Sequence, residues 1–154
     1  MAGRDLPVSP DRVGTLHSHC WGALGGPKIA EANVSEWNRD NPHLRLTPVN
    51  RHRKLDGEQS TQDEDDDSTK DGDILLQAIN RCRGFMLDPK SWPIRVQEFA
   101  AKWERYKRAL GLLDFCDLIE RCLRDLAVAP GSPEVILTDE AQDLTRMQFT
   151  LIRK

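Results

Sequence analysis

The sequence predicts an α/β fold, mostly helical with a few parallel strands, and two observations carry that expectation. The first is the apolar run Val135-Ile136-Leu137, which ends abruptly in Asp139, Glu140, Gln142 and Asp143. In open α/β sheets ligands bind beyond the carboxyl ends of the strands, so a strand at 134–138 would deliver adjacent carboxylates to a site. Asp139 and Glu140 would face opposite ways along an extended chain, one toward a metal ion and the other toward a water. Those are the two tasks of nucleoside triphosphate hydrolysis. An ordinary acidic surface turn is the alternative reading of the same residues. The second observation is helical periodicity through the rest of the C-terminal half.

Taken in order, residues 1–11 are polar and Pro-containing and are expected to be disordered. Residues 12–17 read as a short strand leading into a helical stretch from Ser18 to Leu24. Gly25, Gly26 and Pro27 end it, because glycine permits a left-handed exit and proline cannot continue a helix. Residues 31–55 carry scattered apolar positions and a basic cluster, Arg51-His52-Arg53-Lys54. Residues 56–73 read as an acidic, disordered linker, since Asp63-Glu64-Asp65-Asp66-Asp67 repels itself and buries nothing.

From residue 74 the pattern turns helical. Ile74, Leu75, Ala78 and Ile79 form one stripe, and Phe99, Trp103, Tyr106 and Leu110 a second at spacings of four, three and four. Leu118, Ile119, Cys122, Leu123 and Leu126 form a third. Asp114 stands where a helix cap belongs, and Asp117 adds negative charge to the first turn. Pro130-Gly131-Ser132-Pro133 turns the chain into the strand. Leu144, Met147, Leu151 and Ile152 mark a last helix, begun at Asp143 or Thr145.

Composition narrows the function classes. The 154 residues suffice for one domain, and 38% hydrophobic with 31% charged residues describes a polar, water-soluble chain. A net charge of −3 gives no long-range field toward DNA, so any nucleic-acid contact rests on local groups. No apolar stretch approaches the ~20 residues of a membrane span, and no secretory signal follows Met1. Cys20, Cys82, Cys116 and Cys122 lack paired spacing, which points to reduced thiols in the cytoplasm. His17, His19 and Cys20 could hold zinc only with a distant fourth ligand.

Three segments together resemble one family. Asp139-Glu140-Ala141-Gln142-Asp143 looks like the Walker B motif of superfamily 1 DNA helicases of the UvrD/Rep type. Upstream, Leu113-Asp114-Phe115-Cys116-Asp117-Leu118 resembles that family's Leu-Asp-Phe-x-Asp-Leu stretch, approached by Tyr106-Lys107. Gly14-Thr15-Leu16-His17-Ser18 resembles its Thr-x-His motif. The resemblance covers about residues 12–154. It implies a partial RecA-like P-loop NTPase domain in two pieces, 12–55 and 74–154, lacking the phosphate-loop strand. It further implies ATP and Mg²⁺ as cofactors, with single-stranded DNA and the remainder of the motor as partners. Asp139 would hold the metal, and Glu140 would orient and deprotonate the attacking water. Gln142 would sense the γ-phosphate. Thr15 and His17 would meet single-stranded DNA, a job suited to a hydroxyl and an imidazole. Both also read as cap or core residues. Asp114 and Asp117 read as structural.

The departures from the family matter as much. No Gly-x-x-x-x-Gly-Lys-Ser/Thr loop exists here. The nearest imitation, from Gly22 to Ile29, has Pro27 in place of a glycine amide and Ile29 in place of the metal-binding hydroxyl, and it follows the Thr-x-His segment instead of preceding it. Arg146 stands where family members often carry proline. The chain ends about ten residues past Asp143, without the second motor domain. The expectation is an internal piece of an ATP-dependent DNA helicase, inactive alone, whose strand at 134–138 lacks a neighbour and exposes an apolar face. A non-enzymatic nucleic-acid- or protein-binding remnant is the alternative, and an unrelated helical interaction domain a third.

Overall fold

A computed structural model describes residue 9 and residues 12–49 and 71–154. Among the described residues six helices form: α1 (Leu16–Ala23), α2 (Ser35–Asp40), α3 (Asp71–Gly84), α4 (Ile94–Leu110), α5 (Phe115–Asp125) and α6 (Arg146–Ile152). Short 3-10 turns lie between some of them. The basic cluster at 51–54, residues 1–8 and most of the expected acidic linker lie outside the described residues. The helix expected from residue 74 already begins at Asp71.

The α/β expectation is overturned. No sheet forms among the described residues, and the nearest approach to parallel pairing is one isolated bridge between Ile29 and Leu113. The strand expected at 12–17 does not form, and its last two residues, Leu16 and His17, open α1 instead. Thr15 accepts a hydrogen bond from the Ser18 amide through its side chain and so caps α1, drawing Leu16 and His17 into the first turn. Residues 134–138 form no strand and pair with no other described residue. Their backbone makes no hydrogen bond to other described residues. Val135 is 74% and Leu137 91% exposed. A continuous apolar run becomes a buried strand only when neighbouring strands take up its N–H and C=O groups, and none stands beside it here. The RecA-like architecture is therefore not the fold of this chain.

The helices read from periodicity do form. α4 ends at Gly111, whose φ of 64° is the left-handed exit that glycine adopts without steric cost. Asp114 caps α5 in a complete capping box with Asp117, and Thr145 caps α6 in another with Gln148. Two apolar clusters result. One joins α1, α5 and α6 through Cys20, Ile29, Leu118, Ile119, Cys122, Met147 and Leu151. The other gathers Trp37, Leu46, Ile79, Phe99 and Trp103 from α2, α3 and α4. Gly72 allows the tightest approach of the second cluster's elements, since a Cβ there would lie 2.4 Å from the Arg45 carbonyl oxygen. The bridge at Ile29 and Leu113 sits where the two clusters meet, with the Ala30 amide bonded to the Leu113 carbonyl at 2.8 Å.

Candidate functional site

The three family-like segments are brought together unequally. α1 packs on α5, so the Thr-x-His turn stands at the N-terminal end of the Leu-Asp-Phe-x-Asp-Leu helix. His17 meets the ring of Phe115 edge-on, with centroids 5.5 Å apart. Burial lowers the pKa of His17, which keeps the imidazole neutral near pH 7. Thr15 is exposed, with its hydroxyl engaged in the cap of α1. The alternative reading of Thr15 as a cap residue is thus its observed local role.

The acidic segment stands apart from any enclosed site. Asp139, Glu140, Gln142 and Asp143 are all exposed. Asp139 turns one carboxylate oxygen back onto the Glu140 amide at 3.0 Å. Glu140 itself has φ 50°, a left-handed conformation that costs a non-glycine residue roughly 1–2 kcal/mol. Glu140→Gly should therefore leave the fold equally or more stable, which a urea titration reads directly. Exposed carboxylates on one surface segment do not by themselves enclose Mg²⁺ and a triphosphate. Among the described residues no group of three His, Cys, Asp or Glu side chains is placed to hold a metal ion. The positions that the resemblance assigns to Mg²⁺ and ATP thus lie on an exposed segment and not in an enclosed pocket.

The dense electrostatic site lies under α5 instead. Asp114 is fully buried and accepts hydrogen bonds from Arg83 (2.8 Å), Lys107 (2.6 Å) and the Trp103 indole (3.1 Å). Arg83 continues to Asp117 and Glu120, and Lys107 to Asp117 and Glu104. Lys107 is only 2% exposed. Burial alone would discharge it, but Asp114 and Asp117 outweigh that and hold its pKa above the usual lysine value. Burial likewise opposes ionisation of Asp117, yet Lys107 and Arg83 bring its pKa below the usual carboxylate value. This is an internal clamp joining α3, α4 and α5, with every carboxylate satisfied. It fits the structural reading of Asp114 and Asp117, although the helix they cap packs on α1, α3 and α6 and not on a sheet.

The clamp predicts a pH response. A group with a depressed folded pKa contributes stability that is complete above its unfolded pKa and lost as pH falls through the folded one. For Asp117, acid titration from about pH 5 downward should therefore weaken the fold, and Asp117→Asn should flatten that limb of a urea-midpoint profile.

Glu31 is the residue that sequence reasoning missed. It is 4% exposed, accepts from the Phe115 amide at 3.0 Å through one oxygen, and leaves the other oxygen without a partner. Burial first, and then Asp114, push its pKa up to about 7. No short-range sequence signal marks it, because its neighbours Ala30 and Ala32 give no hint of an enclosing wall. Arg83 was missed for the same reason, whereas Lys107 stands inside the Tyr106-Lys107 approach to the family-like stretch.

No family model, curated protein or solved structure matches this chain.

Proposed function

We propose that this chain is a segment of an ATP-dependent DNA helicase, catalytically silent by itself. The observation that carries the reading is the His17–Phe115 contact, which joins two of the three family-like segments that lie far apart in the sequence. Their order along the chain adds support, since independent short motifs seldom recur in one family's order. The exposed state of Asp139 and Glu140 and the absence of a phosphate loop from the sequence support silence in isolation. Four free cysteines agree with a reducing cytoplasm. No helix among the described residues is long and apolar enough to cross a membrane.

Two measurements test this. Phosphate release from ATP should stay at background with or without single-stranded DNA. DNA-stimulated release that vanishes in Glu140→Gln would overturn the silence. Reading the coding DNA on both sides of this frame should find a Gly-Lys-Ser/Thr loop upstream and further helicase motifs downstream. Finding neither would remove the helicase reading.

The second reading is a binding remnant that docks on nucleic acid or another protein. The exposed Val135 and Leu137 on an unpaired backbone favour it, because such a segment offers a ready template for another chain. By the same physics the isolated chain should self-associate, and Leu137→Asp should shift sedimentation velocity profiles toward monomer. A monodisperse wild-type monomer with a cooperative thermal transition would argue against that exposure mattering.

A further inference from the structure

The joint between the two apolar clusters is closed by a buried carboxyl with half of its hydrogen-bonding capacity unused. Glu31 lies in the 3-10 turn Ala30–Ala32, directly after the bridge that ties Ile29 to Leu113. Its side chain reaches the start of α5 and takes the Phe115 amide, while its own carbonyl accepts from Val49. The ring of the same Phe115 carries His17. One residue, Phe115, therefore links the Glu31 carboxyl to the Thr-x-His turn.

We propose that Glu31 is a pH-sensitive latch: its neutral carboxyl holds the start of α5 and, through Phe115, the turn bearing Thr15 and His17, and its ionisation loosens that hold.

The surrounding charges decide the direction. Asp114, at the cap of α5, is a buried carboxylate that opposes a second negative charge at Glu31. Lys107 of α4 is the cation that acts on Glu31, but its ammonium is already bonded to Asp114 and Asp117 and paired with Glu104. Arg83 of α3 is likewise spent on Asp114, Asp117 and Glu120. Cys116, in the first turn of α5, stays a neutral thiol, its pKa pushed up to about 12 mainly by burial. From α1, neutral His17 reaches Glu31 only through Phe115. The Phe115 amide favours an ionised carboxylate, yet one hydrogen bond does not replace lost hydration at a site 4% exposed. The net direction is a proton retained up to about pH 7. A raised acid pKa means that the folded chain binds a proton the unfolded chain has lost, so stability falls as pH climbs toward the folded pKa and levels beyond it.

The meaning for DNA contact rests on the proposed function, whereas the latch itself is tested without DNA. The test follows the Phe115 amide resonance of the full chain, and the urea midpoint, from about pH 5 to pH 9 in wild type and in Glu31→Gln. In wild type the amide shift should titrate near pH 7. Over the same range the unfolding constant should rise by about two orders of magnitude. In Glu31→Gln both responses should disappear. Identical pH profiles in the two proteins, or a Phe115 amide that does not respond in wild type, would overturn the latch. Should Glu31→Gln fail to fold, the wild-type amide titration alone decides. Failure of the helicase reading would leave these titrations intact, so the two outcomes are separable.

Discussion

Asp114→Ala should cost the fold about 3–5 kcal/mol, the usual penalty for leaving a buried charge without its partner. The reason lies in what remains behind. Lys107 would lose the acceptor at 2.6 Å, Arg83 the one at 2.8 Å, and the Trp103 indole the one at 3.1 Å. The α5 cap would go with them, because the Asp117 amide donates to Asp114 at 2.7 Å. Against the typical total of about 5–15 kcal/mol for a domain, such a loss removes a large fraction of the stability. Loss of helical circular dichroism at low urea would show it. A conservative control sharpens the point: Asp114→Asn keeps the shape and one oxygen acceptor, so it should retain part of the cap while still losing the charge balance. If Asp114→Ala changes the urea midpoint no more than a surface substitution does, the clamp does not hold the fold together.

The second large effect belongs to Trp37→Ala, expected to cost about 3–5 kcal/mol as a buried aromatic truncation. Trp37 is 1% exposed and stands edge-on to Phe99, Trp103 and Tyr106 at centroid distances of 5.2–5.6 Å. Its indole also donates to the Leu44 carbonyl at 2.7 Å, so removal leaves a cavity and an orphaned acceptor together. Trp103 stacks on Tyr106 and touches Asp114, which connects this aromatic group to the ion clamp. Trp37→Phe should recover most of the packing and lose chiefly the hydrogen bond, and equilibrium urea unfolding of the three proteins ranks them. Equal loss in the Phe and Ala variants would assign the whole effect to the hydrogen bond and discount the packing.

Functional consequences follow from the same anatomy. The parts most like a helicase divide into a packed pair and an exposed remainder. Thr15, His17 and Phe115 are held by the α1–α5 interface, so their arrangement is a property of this chain alone. Asp139, Glu140 and Gln142 sit in solvent after a segment that forms no strand.

The helices of the C-terminal half were legible in the chain, whereas the start of α1 and the whole of α2 were not. Phe99 and Trp103 of one stripe and Leu118, Ile119 and Cys122 of the other became the buried faces of α4 and α5, with Tyr106 half-buried and Leu110 left exposed, because helical periodicity is written within a few turns of chain. Asp114 and Thr145 became caps for the same reason, since a cap closes its hydrogen bond three residues away. Tertiary structure alone decided the rest. Whether Val135-Ile136-Leu137 becomes a strand depends on a partner for its backbone, and pairing across a sheet is a long-range event that local composition cannot report. The Arg83–Asp114 pair spans 31 positions and the Glu31–Phe115 bond spans 84, so neither leaves a mark on its own neighbourhood. Local hydrogen bonds are legible in a sequence because their geometry is short; the buried charges that give this chain its clamp and its latch exist only once distant segments have met.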